Sequence, residues 1–116
     1  MTIDEASARY KIPLSILREY ERWGLCNAVK SVMGAWQYNE QDIERLSLIM
    51  TLHDVGFASD DVERYMRLLV SPRDTSKERL QMLQTLRGNL MDELHIKQKN
   101  VDRLDYLRHH IHDTQL

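Results

Sequence analysis

A periodic apolar stripe in the last third of the chain constrains the fold most. Leucine, valine and isoleucine recur there, mostly every three or four residues, and charged side chains occupy many positions between them. This spacing predicts one amphipathic helix from about Thr75 to about His110, roughly 50 Å long at 1.5 Å per residue. The stripe comprises Leu80, Leu83, Leu86, Leu90, Leu94, Val101, Leu104, Leu107 and Ile111, with Lys97 interrupting it.

This stripe predicts a partner helix. A chain of 116 residues is long enough for one small head and an extended element. Because the head cannot bury the stripe, the simplest partner is the same helix in a second copy, which gives a homodimer joined by a two-stranded coiled coil. The predicted dimerisation residues are Leu83, Leu86, Leu90, Leu94, Val101, Leu104, Leu107 and Ile111. Gly88 and Asn89 weaken the middle of this helix, so a bent or broken helix folding back on its own head is the alternative.

The boundary between head and helix is marked by turn and capping residues. Pro72 marks the end of the head, and Thr75 with Glu78 forms a capping-box pattern ahead of the periodic stretch. The predicted domains are a head over 1–70, a linker over 71–75, a coiled-coil helix over 76–112 and a tail over 113–116.

The start of the head has a helix-turn-helix pattern. Ile3 to Tyr10 reads as a short helix with acids in its first turn. Pro13 is tolerated only in the first turn of a helix, so a second helix is expected from Pro13 to Trp23, with Gly24 as its C-cap. In this motif the second helix lies in the DNA major groove.

The rest of the head predicts a small hairpin and two more helices. Cys26 to Tyr38 lacks helical periodicity and suggests a two-stranded wing. Asn39 followed by Asp42 favours the start of a third helix, which Gly56 ends, and Ser59 is the expected cap of a fourth. The predicted fold class is all-α with a small β wing, a winged helix-turn-helix head followed by a long helix.

The charge is unevenly distributed. The formal net charge is −2, and residues 1–70 carry eight Lys or Arg against eleven Asp or Glu. Between Glu40 and Glu63 lie seven acids, with Arg45 the only Lys or Arg among them. The basic footprint that nucleic-acid binding needs is therefore confined to the first thirty residues.

The head resembles the MerR family of winged helix-turn-helix regulators. The similarity rests on the run Leu17–Leu25, on Gly34, Trp36 and Tyr38 with Asn39 after them, and on Val55, Gly56 and Phe57. The resemblance covers residues 1 to about 70, and the final helix matches the family's dimerisation helix in position. It implies a homodimeric transcriptional regulator that binds pseudo-palindromic double-stranded promoter DNA and distorts it, with RNA polymerase as a further partner.

The resemblance also supplies candidate DNA-binding residues. Arg18 would contact DNA backbone or a base edge, and Tyr20 a phosphate. The full candidate set is Ser15, Arg18, Tyr20, Arg22, Lys30, Trp36 and Tyr38. The alternatives are surface ion pairs for Arg18 and Arg22, core packing alone for Tyr20, and packing within the wing for Trp36.

Several departures from the family pattern predict weak or atypical DNA binding. Glu19 replaces a tyrosine, Trp36 replaces the wing arginine, and Met50, Thr51 and His53 stand where relatives often have basic residues. Fewer cations mean fewer phosphate contacts and lower affinity. Glu19 either accepts a hydrogen bond from a cytosine amino group, or only weakens binding, or pairs with Arg22.

Other functions have little support in the sequence. We find no catalytic constellation and expect no enzyme activity, cofactor or metal site. Cys26 is interpreted as a small buried hydrophobe, and His109, His110, His112 and Asp113 as solvated polar sequence. Without an apolar span or signal peptide, a cytoplasmic protein is expected. The alternative function is a winged-helix interaction dimer with weak or lost DNA binding, which engages a basic partner through the acidic segment.

Overall fold

The computed structural model describes residues 3–25 and 38–114. The described part is mostly helical, and its helices are α1 (Ile3–Tyr10), α2 (Leu14–Trp23), α3 (Glu40–Asp54), α4 (Ser59–Leu69) and α5 (Ser76–Thr114). The chain divides into an N-terminal unit, Met1–Arg79, and a C-terminal unit, Leu80–Leu116. The predicted wing lies outside the described residues except for Tyr38.

A tight turn joins α1 to α2. Lys11 takes a left-handed backbone conformation with φ 55°, which costs a non-glycine residue about 1–2 kcal/mol. The Ser7 hydroxyl donates a hydrogen bond to the Ile12 carbonyl at 2.8 Å, and the Ile12 side chain is buried. These contacts offset the strain, so the turn fixes the start of α2. Pro13 is the N-cap of α2, so the helix begins at Leu14, one residue later than predicted.

The ends of α2 and the start of α3 follow the predicted caps. Gly24 is left-handed with φ 72° and donates its N–H to the Glu21 carbonyl at 3.1 Å. The Asn39 side chain accepts the Asp42 N–H at 2.9 Å, and the Asp42 carboxylate accepts the Asn39 N–H at 3.1 Å. Asn39 and Asp42 thus form a complete capping box, which satisfies two backbone N–H donors at once. Both predicted caps are confirmed.

Two other predicted caps are wrong. Ser59 is the first residue of α4, and the N-cap is Ala58, with no side-chain cap. The Thr75 hydroxyl donates to the Leu68 carbonyl at 2.6 Å, and Glu78 pairs with Arg73 at 3.1 Å. The Thr75–Glu78 capping box is therefore absent: the Thr75 hydroxyl bonds to Leu68 and accepts from the Arg79 Nε at 3.0 Å, and Glu78 bonds to Arg73.

The core of the N-terminal unit is built from the inward faces of four helices. The helices in contact are α1 with α2, α2 with α3, and α3 with α4. Fully or almost fully buried apolar side chains are Ala6, Ile12, Leu17, Tyr20, Leu46, Ile49, Val62 and Met66. Burying one such aliphatic side chain contributes about 1.5–3 kcal/mol. This packing fixes the orientation of α2.

The predicted long helix is present and continuous. It contains 39 residues, about 58 Å at 1.5 Å per residue. It does not break at Gly88 or Asn89, so the broken-helix alternative is not observed. Within the part of the chain that is described, no helix is both long and apolar enough to cross a bilayer.

Candidate nucleic-acid interface

Helix α2 has two chemically distinct faces. Its buried residues are Leu17, Tyr20 and Trp23. Its exposed polar residues are Ser15, Arg18 and Arg22. At 100° per residue, these last three fall within an arc of about 60°, so they project to the same side of the helix. We call Ser15, Arg18 and Arg22 the exposed face of α2.

The two arginines of this face differ in their surroundings. Arg18 is exposed and forms no ion pair with any residue in the described segments. The Arg22 side chain is 74% exposed, and its Nη2 lies 3.9 Å from the Glu19 Oε1. An exposed pair at that distance contributes little stability, about 0–1 kcal/mol. Both guanidinium groups are therefore accessible to a phosphate or a base edge.

Tyr20 is placed in the core and does not reach the exposed face. It is fully buried, and its hydroxyl donates to the Asp42 Oδ1 at 2.8 Å. Burial raises the pKa of the Tyr20 phenol above its usual value, and the hydrogen bond to Asp42 adds to this effect. The phosphate contact that the resemblance implied for Tyr20 disagrees with this placement. Its role is to fasten α2 to the start of α3.

Two arginines absent from the candidate set hold the end of α2. The Arg45 Nη1 donates to the Leu25 carbonyl at 2.9 Å, and the Arg67 Nη2 donates to the Trp23 carbonyl at 3.2 Å. The last carbonyls of a helix lack partners within it and carry partial negative charge, so guanidinium donors suit them. In the sequence Arg45 stands alone among seven acids, which marks it as unusual but does not indicate its partner.

Tyr38 is also buried and hydrogen-bonded within the protein. It is 5% exposed, and its hydroxyl donates to the Glu21 carboxylate. The DNA contact predicted for Tyr38 therefore disagrees with its burial. Of the remaining candidates, Lys30 and Trp36 lie outside the described residues. The structure thus brings Ser15, Arg18 and Arg22 together and assigns the two tyrosines to packing.

Glu19 lies at the edge of the exposed face. Its side chain is 17% exposed, and its Oε2 is 3.9 Å from the Nε2 of His53 on α3. His53 Nε2 is buried and has no hydrogen-bond partner in the described part of the chain. Glu19 thus faces Arg22 with one oxygen and His53 with the other.

The C-terminal unit, considered by itself, exposes its apolar stripe. The exposed members are Leu80, Leu83, Leu90, Leu94, Val101, Leu104, Leu107 and Ile111. Leu86 is half-buried. Large apolar side chains recurring along a 39-residue helix are what a partner helix covers.

The histidines of the C-terminal unit do not form a metal-binding cluster with other described residues. Nowhere in residues 3–25 and 38–112 do three or more His, Cys, Asp or Glu side chains converge. The His110 ring lies against Tyr106 with the ring centroids 4.4 Å apart. Cys26 lies outside the described residues.

A helix-turn-helix with an arginine-bearing second helix, followed by a long amphipathic helix, defines a class of DNA-associated regulatory proteins. Residues 1–69 match the family model described as "MerR HTH family regulatory protein". The chain belongs to the MerR family, as the residues quoted above indicated.

Known proteins resemble the chain along nearly its whole length. A "probable heavy metal-dependent transcriptional regulator" of Haemophilus influenzae is 30% identical and aligns with 98% of this chain and 87% of its own length. The fold is similar to that of HiNmlR, a MerR family regulator lacking the sensor domain, in a crystal structure bound to promoter DNA. The TM-score is 0.68 at 23% sequence identity, and the alignment covers 98% of this chain and 91% of that one. The structure of a putative MerR family transcriptional regulator from Listeria monocytogenes is also similar, with a TM-score of 0.72 at 23% sequence identity. This alignment covers 98% of this chain and 86% of that one.

Proposed function

We propose that this protein is a sequence-specific, DNA-binding transcriptional regulator that acts as a homodimer on pseudo-palindromic promoter DNA. The observation that carries the proposal is the exposed face of α2. Ser15, Arg18 and Arg22 project together from a helix whose other face is locked in the core. Family membership and the promoter-bound structural neighbour support it.

The chemistry of this face suits a DNA groove. Arginine is a bidentate donor to the O6 and N7 atoms of guanine or to phosphate oxygens, and a serine hydroxyl bonds either. Arg18 has no competing partner among the described residues, so we assign it the base edge. We assign Arg22 and Ser15 to the flanking backbone, with Lys30 and Trp36 as further candidates in the wing.

The homodimer is proposed to form through α5. Leu83, Leu90, Leu104 and Ile111 share one heptad position with Lys97, and Leu94 and Val101 share the other. In this scheme residues 1–70 form the DNA-binding domain, 71–75 the linker and 76–112 the coil, followed by the tail 113–116. A two-fold dimer presents two copies of α2 to successive major grooves.

We further propose that the dimer distorts its promoter in the cytoplasm, where RNA polymerase is the remaining partner. Bending or untwisting DNA costs several kcal/mol, which protein contacts along the deformed site must offset. With few exposed cations on α2, this protein neutralises few phosphates, so the electrostatic contribution to DNA binding is modest. Its binding is therefore expected to be weak and to depend on salt less steeply than that of a protein with more phosphate contacts.

The test is a genomic footprint with the purified dimer, followed by fluorescence anisotropy on the recovered duplexes. Arg18→Ala is expected to lower affinity by about 1–3 kcal/mol and to relax specificity at one base position. Arg22→Ala should weaken all duplexes similarly and reduce the salt slope by about 1 for each phosphate that the arginine no longer neutralises.

Arg73→Ala is the matched control, because Arg73 is also exposed and paired with a carboxylate but lies in the linker. It should leave DNA affinity nearly unchanged. If the intact dimer binds no duplex at low salt, DNA binding is refuted and the interaction-dimer alternative is favoured.

A further inference from the structure

One carboxylate lies between two groups that compete for it. Glu19 Oε1 is 3.9 Å from the Nη2 of Arg22, and Glu19 Oε2 is 3.9 Å from the Nε2 of His53. Neither distance is short enough for a hydrogen bond, so the carboxylate is not committed to either side. A small movement of the Glu19 side chain therefore strengthens one contact and weakens the other.

The two competing groups differ in exposure. The Arg22 side chain is 74% exposed, whereas that of His53 is 24% exposed. The His53 Nε2 atom is buried and has no hydrogen-bond partner in the described part of the chain. A buried polar nitrogen without a hydrogen-bond partner is unfavourable, and the Glu19 carboxylate lies 3.9 Å from this one. A contact with His53 therefore favours a Glu19 side chain that lies towards α3 and away from the exposed face.

We propose that Glu19 sets the DNA affinity of α2 by restraining Arg22, and that His53 limits this restraint by holding the carboxylate against α3. The proposal rests on the proposed function. Glu19 is a positioning residue for Arg22, and His53 is a positioning residue for Glu19. In this arrangement a phosphate competes with the Glu19 carboxylate for Arg22. The same carboxylate places a negative charge beside the exposed face, and this charge repels DNA.

Glu19→Gln should release Arg22. Each phosphate contact adds about threefold to the loss of affinity between 50 and 200 mM salt, so two freed contacts per dimer should strengthen binding at 50 mM and deepen that loss by about tenfold. Most of this gain should disappear when Arg22→Ala is already present. The matched control is Glu44→Gln, which removes an exposed acid from α3 that has no ion pair in the described segments. It should change affinity little.

His53→Gln tests the second half of the proposal. With His53 gone, Glu19 is free to pair with Arg22 in both subunits, so DNA binding should weaken and the loss of affinity between 50 and 200 mM salt should become smaller by up to about tenfold, the size of two phosphate contacts per dimer. In the Glu19→Gln background the same replacement should have no effect on DNA binding. Fluorescence anisotropy on one duplex measures all of these variants, and the two replacements together form a double-mutant cycle.

Two results would overturn the proposal. Weaker binding by Glu19→Gln means that the carboxylate accepts a hydrogen bond from a base, and equal gains from Glu19→Gln and Glu44→Gln mean that only overall charge matters. A double-mutant cycle of thermal unfolding midpoints, measured without DNA, tests the Glu19–His53 contact separately from the proposed function. Non-additive midpoints for the Glu19 and His53 variants support their contact, whereas additive midpoints refute it. If that contact is present and the wild type binds no duplex, DNA binding fails and the affinity role fails with it.

Discussion

Helices α2 and α5 solve the problem of stability in opposite ways. Helix α2 has 10 residues and buries Leu17, Tyr20 and Trp23, and arginine side chains bond to carbonyls at and just beyond its C-terminal end. Helix α5 has 39 residues, yet most of its large apolar side chains stay exposed in the single chain. A short helix held by its own domain can display polar groups with fixed geometry. A long helix with an exposed stripe depends on a second molecule.

The strongest test of this contrast compares two residues of α5. Leu94 is 60% exposed and lies on the apolar stripe, whereas Ile96 is 59% exposed and lies about 200° around the helix. Leu94→Asp should bury a charge in the dimer interface and cost about 3–5 kcal/mol, roughly a hundredfold or more in dimer affinity. Ile96→Asp should leave the dimer intact. Analytical ultracentrifugation at micromolar concentration measures both, and dissociation by both or by neither would refute the assigned stripe.

The matching test on α2 replaces Leu17, which is fully buried. Leu17→Ala should cost about 2–5 kcal/mol, because it removes apolar contacts and leaves a cavity that neighbours only partly fill. Urea unfolding measures the loss. The loss should be the same at low and high protein concentration, if the N-terminal unit supplies its own core. A loss that depends on concentration would show that α2 also relies on the dimer.

Tyr20→Phe tests the polar anchor of α2. It leaves the buried Asp42 without the phenol donor, at a cost of about 1–3 kcal/mol. Because folding raises the pKa of this phenol above its usual 10.0, the unfolded chain loses this proton first as pH rises. The contribution is therefore complete below pH 10 and is lost above it, by up to about 1.4 kcal/mol per pH unit. Urea unfolding between pH 8 and 11 should show a shallower decline for Tyr20→Phe. An equally steep decline would remove Tyr20 as the cause.

The sequence predicted the local elements better than the long-range contacts. The Gly24 cap and the Asn39–Asp42 capping box depend on neighbouring residues, and both were predicted correctly. For Tyr20, the family resemblance suggested a phosphate contact, and core packing was the alternative. The structure agrees with core packing, because the phenol reaches Asp42, 22 positions along the chain.

The contacts that sequence reasoning missed join distant segments. Arg67 and Trp23 lie 44 positions apart, and Arg45 and Leu25 lie 20 apart, so no local pattern reveals either bond. The absence of the predicted Thr75–Glu78 capping box has a related cause. Thr75 bonds to Leu68 and Glu78 to Arg73, which are tertiary or linker contacts that compete with the local capping box.

The smallest expected effect concerns Arg67, which joins α4 to the end of α2. Arg67→Ala removes the bond to the Trp23 carbonyl and the 2.8 Å pair with Glu63. Since the side chain is 51% exposed, the loss should be about 0.5–1.5 kcal/mol and should diminish in high salt. Arg64→Ala on the same helix is the control and should stay within about 0.5 kcal/mol of the wild type, because Arg64 is exposed and has no ion pair in the described segments.

Urea unfolding and DNA anisotropy should be measured together. If Arg67 positions α2, its loss weakens DNA binding beyond that of Arg64→Ala, although Arg67 is not on the exposed face; equal DNA affinities would confine Arg67 to stability.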